Sequence, residues 1–349
     1  MEQKEQNVNV AIVGCGYATV TFHAPLIQSV PGLSLVAVSS SDRAKAQASL
    51  PGVAVCDTPE QLLARGDIDL VVIPTPNHTH HPLAMQALEA GKHVVVDKPF
   101  TLDTAQAREL IAAAEAKGRV LSVFHNRRWA TDFLTVQKLL ASGALGRVAH
   151  YEAHFDRYRP AVRQRWRESS VPGGGLWYDL GAHLLDEALR LFGMPQAIGL
   201  DLAAQRDGAV TDDWFHCVLR YDRRLRVVLH AGALVARPGP RYAIHGTLGS
   251  YTKFGLDPQE DQLKVGMRPG DAGWGIDKNE GMLVLADGEH LRESTLPNES
   301  GNYAQYYSAL RDAILHGQPN PVPADEGLQV MQLIEAGLRS ATRGGVVTL

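Results

Sequence analysis

Val8-Asn9-Val10-Ala11-Ile12-Val13-Gly14-Cys15-Gly16-Tyr17-Ala18-Thr19 decides the fold of this chain. A short apolar run reads as a buried strand, and it passes directly into a glycine turn. That order begins a βαβ unit. Gly14 permits the tight turn, and Gly16 lets backbone N–H groups approach a pyrophosphate at the N-terminus of the next helix. Thr19 stands where a third glycine or alanine is usual, so the fingerprint is incomplete.

Working outward, strands and helices alternate. Residues 33–39, 70–74, 93–97 and 120–124 read as strands, and the all-apolar third suits a sheet covered on both faces. Between them, Thr58-Pro59-Glu60-Gln61 has the order N-cap, proline at N1 and capping-box glutamine. Residues 82–90 form a helix closed by Gly91, and Asp103 caps another that stops at Gly118. This spacing predicts a doubly wound parallel sheet over residues 1–125. The pattern then changes. Residues 147–158 alternate apolar and polar, one amphipathic helix follows at 176–191, and strands come in succession at 197–205, 214–221, 224–236 and 241–245. They predict a large, mostly antiparallel sheet in an α+β domain over 126–349. Two late helices, at 303–315 and 325–342, are expected to pack back on the first domain.

The 349 residues suffice for two domains with cores of their own. A net charge of −4 with scattered lysine and arginine carries no footprint for nucleic acid. The Arg157–Arg167 cluster is interleaved with a strand and does not alter that expectation. Cys15, Cys56 and Cys217 lie far apart, which argues against a disulfide framework or cysteine zinc site. No apolar run spans a bilayer. The expectation is a soluble, cytoplasmic protein without a membrane partner. An open antiparallel sheet exposes a broad face, so a homodimer or homotetramer is expected.

Lys98-Pro99 ends the fourth strand, at the mouth of the sheet, where α/β enzymes bind ligands. Asp179 and His183, four apart behind Gly173-Gly174-Gly175, share a helix face. Gly181 between them suggests that something approaches closely on that side. The second strand ends in Ser39-Ser40-Ser41-Asp42-Arg43; small hydroxyls followed by arginine suit a 2′-phosphate and favour NADP over NAD. Thr75-Pro76-Asn77 with His80 should hold a fixed loop across the cofactor. His78, His80 and His81 lack an acidic or cysteine partner nearby, and no metal is predicted.

These motifs resemble the Gfo/Idh/MocA family: Gly14-x-Gly16, Thr75-Pro76-Asn77-x-x-His80, Lys98-Pro99 and Asp179-x-x-x-His183. Asp97 stands where family members usually have glutamate. Within the family the chain is most similar to the NADP-dependent scyllo-inositol dehydrogenases, through residues 122–129, 156–160, 165–167, Gly239-Pro240-Arg241-Tyr242-x-x-His245-Gly246 and Trp274-Gly275. The resemblance implies a Rossmann domain followed by a substrate domain, with hydride transfer between NADP and a secondary alcohol of a cyclitol or sugar. It implies Lys98, Asp179 and His183 at the substrate. Chemistry then suggests His183 as base, Lys98 as stabiliser of the alkoxide, and Asp179 as the group that orients His183 or grips a hydroxyl. Expected cofactor contacts are Gly14, Cys15, Gly16, Tyr17, Ala18, Thr19, Ser39, Ser40, Arg43, Thr75, Pro76, Asn77, His80, Lys98, Asn126, Trp166 and Arg167. Tyr158, Arg163, Arg165 and Tyr178 are expected at the polyol. A non-catalytic NADP-binding sensor on the same fold, or an enzyme acting on another sugar or aldose, is the competing expectation.

Overall fold

The computed structural model describes residues 7–222 and 224–349. The chain divides into two compact units. The first comprises the residues up to Trp129 together with Pro258–Gly275 and Asn302–Leu328; the second comprises Ala130–Asp257, Ile276–Gly301 and Gln329–Leu349.

The first unit is built on six strands: β1 (Val8–Val13), β2 (Leu33–Ser39), β3 (Ala54–Cys56), β4 (Leu70–Ile73), β5 (His93–Val96) and β6 (Leu121–Val123). Their order is β3-β2-β1-β4-β5-β6, and every pair is parallel. The order reverses between β1 and β4, which places a ligand-binding crevice outside the carboxyl ends of those strands. All four β4 residues are buried, as a strand covered on both faces requires. Three-residue β3, short and more exposed, is the strand of this sheet that the sequence pattern does not predict.

The caps follow sequence chemistry. Asp103 Oδ1 accepts from Gln106 N at 2.8 Å, and Gly118 closes that helix at φ +61°. Thr58 caps its helix through Gln61 N at 3.3 Å; the Gln61 side chain, however, accepts from Asp57 N and not from Thr58 N. The late helix Ala304–His316 belongs to this unit, where the Tyr306 hydroxyl donates to Ser122 Oγ on β6 at 2.8 Å.

The second unit carries nine strands: β7 (Val148–His154), β8 (Ala197–Ala203), β9 (Trp214–Arg220), β10 (Arg226–Gly232), β11 (Tyr242–Gly246), β12 (Gly249–Lys253), β13 (Gly281–Asp287), β14 (His290–Leu296) and β15 (Val347–Thr348). The order is β14-β13-β12-β11-β7-β10-β9-β8-β15. Among the described strands of this sheet only β7 and β10 pair in parallel, so the sheet is mostly antiparallel. Phe215, Cys217 and Leu219 on β9 are buried, whereas on the alternate positions His216 and Arg220 are exposed and Val218 is half-buried. One face therefore meets the unit's core and the other does not. Among the described residues no helix is long and apolar enough to cross a membrane.

Candidate active site

In the first unit the turn after β1 is shaped for close backbone approach. Gly14 has φ +91°, and a Cβ there would lie 3.3 Å from Thr75 Cγ2. Gly14 N bonds to Ser39 O and Ser39 Oγ at the end of β2. Gly16 is exposed, with nothing within 4 Å of the place a Cβ would occupy. Helix begins immediately afterwards, at Tyr17-Ala18, and passes through a π turn over Thr19–His23. Thr19 is buried, and its hydroxyl donates to Gly14 O at 2.7 Å. The hydroxyl thus ties the helix to the turn, at the position where glycine usually gives close packing. Cys15 is half-buried, and burial raises its thiol pKa against the opposing charge of Lys45. The open cradle at Gly16 fits a dinucleotide, with backbone N–H groups at a helix N-terminus facing its phosphates.

Neighbouring strand ends supply the rest of this edge. Ser39 is buried and Ser40 accepts from Asp42 N. Asp42 caps the next helix, its Oδ1 accepting from Lys45 N at 3.0 Å. Arg43 pairs with Asp57 at 2.8 Å in an exposed contact. After β4, Thr75 and Thr79 share a hydroxyl contact of 2.6 Å, Pro76 precedes a 3-10 turn, and Asn77 is buried within it. His80 has no exposed surface; its two ring nitrogens lie 2.9 Å from the carbonyl oxygens of Thr75 and Pro99, and burial pushes its pKa down, so the neutral ring donates to one of them. Its place is to clamp the loop after β4 to the loop after β5. His81 contacts Glu109 and His78 is exposed, so the three histidines go to three different surroundings.

Lys98 follows β5, half-buried, and its backbone N–H donates to Asp97 Oδ1 at 2.7 Å. Asp97 Oδ2 faces His23 Nε2 at 3.7 Å. Burial alone would raise the Asp97 carboxyl, but His23, Lys98 and His80 together hold it down at about 2. Asn126 is buried in the turn after β6. Next to it, Arg127 bonds to the Tyr303 hydroxyl and Glu260, and Glu260 also accepts from Tyr17. Nothing in the sequence singles out His23, Glu260 or Lys45, because their partners are remote in the chain or belong to an unremarkable helix.

In the second unit, Asp179 lies in a π turn over Trp177–Gly181 that leads into the helix Ala182–Phe192 carrying His183. Such π insertions often mark functional sites. The glycines here serve the protein's own packing. A Cβ on Gly175 would fall 2.0 Å from Asp212 Oδ1, and one on Gly174 would fall 2.6 Å from Ser169 O. Asp212 Oδ2 accepts from Trp177 N at 2.6 Å and so starts the turn. The close approach expected at Gly181 is made by the Trp177 ring, 2.6 Å from a Cβ placed there, rather than by a ligand.

Arg157, Arg159, Arg165, Arg167 and Asp179 line one small pocket. Arg167 reaches Asp179 at 3.4 Å and lies over the Trp166 ring at 4.4 Å. Glu168 organises the loop, accepting from Arg163 N and Arg165 Nε and pairing with Arg206, which also pairs with Asp213. Tyr178 is half-buried in the π turn. Tyr158 is 61% exposed, with its backbone bridged to Leu234. His183 is buried, with the Phe155 ring 6.1 Å away.

Comparison with known proteins agrees with this architecture. The profile described as "Oxidoreductase family, NAD-binding Rossmann fold" matches residues 8–125, and "Oxidoreductase family, C-terminal alpha/beta domain" matches residues 137–349. The chain is 54% identical over 343 residues to the uncharacterized oxidoreductase YdgJ of Escherichia coli, covering 98% of this chain and 99% of that one. It is 38% identical to IolW of Bacillus subtilis, named scyllo-inositol 2-dehydrogenase (NADP(+)), covering 99% and 97%. The solved structure of the YPO2259 putative oxidoreductase from Yersinia pestis superposes with a TM-score of 0.95 at 52% identity, covering 99% and 97%. With both domains matched, the chain belongs to the Gfo/Idh/MocA family and is an NAD(P)-dependent oxidoreductase.

Proposed function

We propose that this oxidoreductase is an NADP-dependent dehydrogenase acting on a secondary alcohol of a cyclitol or sugar, of the scyllo-inositol and inosose type. The observation that carries the reading is Lys98: it follows β5 at the ligand-binding edge, and its backbone N–H is held by the neighbouring Asp97 carboxylate, which is kept ionised. The similarity to IolW along the whole chain supports the cyclitol and the cofactor choice.

The turn Gly14–Thr19, Ser39, Ser40, Arg43 and the Thr75-Pro76-Asn77 loop would hold the dinucleotide. When bound, it supplies hydride acceptance at its nicotinamide ring. His183 accepts the hydroxyl proton, because an imidazole has its ordinary pKa near working pH. Lys98 donates to the same oxygen and stabilises negative charge as the alkoxide forms. Asp179, held against Arg167, positions a neighbouring hydroxyl or the imidazole. Arg165, with Tyr158, Arg163 and Tyr178, is assigned to the polyol's other hydroxyls, and Trp166, Arg167 and Asn126 to the cofactor.

The test is a steady-state screen of inositol isomers and their ketones with NADP(H) and NAD(H). Turnover of a cyclitol with NADP preferred supports the reading. Tight NADPH binding without turnover of any polyol overturns it in favour of a sensor.

A further inference from the structure

Three side chains that no sequence motif joins meet on the face of the second sheet turned away from its core. β7 and β10 form the parallel pair, with His154 opposite His230, and β9 places His216 opposite His230 on the other side. The three imidazoles therefore form one row, with ring centroids 5.1 Å apart for His154 and His230 and 5.9 Å apart for His230 and His216. Asp156, just past the end of β7, folds onto this row. Its Oδ2 lies 3.3 Å from His154 Nδ1, and its Oδ1 lies 3.5 Å from His230 Nε2. The Asp156 side chain is only 5% exposed, and Oδ1 is buried without a hydrogen bond. A carboxylate oxygen in that state calls for an explanation, and a bound ion is one.

We propose that His154, Asp156 and His230 form a binding site for a divalent transition metal of the zinc class. Their donor atoms all lie within 4.8 Å of one another. Zinc held at ~2.0–2.1 Å in tetrahedral geometry sets its donors roughly 3.4 Å apart. Asp156 Oδ2 already has that spacing from His154 Nδ1, and the other oxygen of the same carboxylate lies 3.5 Å from His230 Nε2. Two imidazole nitrogens and one carboxylate suit zinc, cobalt or nickel, whereas magnesium and calcium take oxygen donors. Glu152 supplies what usually stands behind a ligating imidazole: its Oε1 lies 3.4 Å from His154 Nε2, the nitrogen turned away from Asp156. Three protein donors leave a fourth position open. The ion ties β10 to β7, the one parallel joint of the sheet, and is independent of the dehydrogenase reading.

The experiment uses the untagged full chain, stripped with chelator and titrated with Co²⁺ and then Zn²⁺. The expected result is one Co²⁺ per chain with the visible bands of a tetrahedral site, displaced by Zn²⁺. His154→Ala and Asp156→Asn lose this binding, Glu152→Gln weakens it roughly 10- to 100-fold, and His216→Ala, in the same row but outside the donor set, retains it. Asp156→Asn keeps the side-chain shape and decides the matter if His154→Ala does not fold. Absence of stoichiometric binding at micromolar metal overturns the site and leaves a plain histidine–carboxylate network. Binding that survives Asp156→Asn overturns it as well.

Discussion

Asp97 Oδ2 stands 3.7 Å from His23 Nε2, and the other nitrogen of His23 contacts the Tyr307 hydroxyl at 2.6 Å. The residue before Lys98 is thus connected to the π turn after β1 and to the late helix Ala304–His316. His23 also packs against Phe124, with ring centroids 4.3 Å apart. Lys98 stands on a base fixed from several directions, which is what a cation needs if it is to meet a reacting oxygen without rearranging.

The Asp97 carboxyl titrates at about 2 in the folded protein, below its ordinary value of 3.8. A depressed carboxylate stabilises the fold above the unfolded pKa, and that contribution disappears as pH falls through the folded value. Asp97→Asn should therefore cost roughly 2 kcal/mol at neutral pH. Its difference from wild type should shrink between about pH 4 and pH 2. Thermal melts of both proteins across that range measure it; a gap independent of pH refutes the assignment.

The sheet of the first unit was legible because β1, β4 and β5 are apolar runs bounded by turn residues, and the caps at Thr58 and Asp103 announce their helices. β3 was not legible, being three residues long and at most half-buried, too short to show a pattern. β12 to β15 were also missed; β14, for example, is exposed at nearly every position and so shows no core-facing alternation. In the site, glycine positions were visible but their reasons were not. Gly175 is small for Asp212, a partner that only the folded chain brings close, and Gly181 is small for the ring of Trp177 one turn earlier. His23 behind Asp97, and Arg206 behind the arginine loop, were hidden for the same reason.

Two glycines should separate folding from binding. Gly175 has φ +95° and no room for a methyl group beside Asp212, so Gly175→Ala should destabilise the protein by about 1–3 kcal/mol. Gly16 has open space and no positive φ to relieve. Gly16→Ala should melt near wild type while weakening dinucleotide affinity at least ~10-fold, since the methyl group stands where backbone must approach phosphate. Calorimetry and NADPH fluorescence titration read the two effects. Equal melting temperatures for wild type and Gly175→Ala contradict the packing account.

Lys98→Ala and His183→Ala should each lower turnover by ~10²-fold or more, the usual scale for lost acid–base catalysis. NADPH should still bind in both, because the glycine turn is untouched. For His183→Ala, the pH dependence of kcat should also lose the limb belonging to the base. Turnover near wild type in either variant removes that residue from the mechanism.

Cofactor choice depends on Arg43 and its partner. The Asp42 carboxylate, the acidic group at this strand end that would take a ribose hydroxyl, uses Oδ1 to cap the helix through Lys45 N. Arg43 is paired with Asp57, but both side chains are about half exposed. A pair of that kind contributes about 0–1 kcal/mol, little enough for a phosphate dianion to displace the carboxylate. Arg43→Ala should therefore reduce the preference for NADP over NAD by about 10-fold, the loss of one charge-assisted contact. Asp57→Ala should act in the opposite direction, releasing the guanidinium for the 2′-phosphate and tightening NADP without changing NAD. Ratios of kcat/KM for the two cofactors measure both. If the ratio is the same in wild type and both variants, Arg43 does not read the phosphate, and the neighbouring Lys45, whose charge already reaches Cys15 in the glycine turn, becomes the next cation to replace.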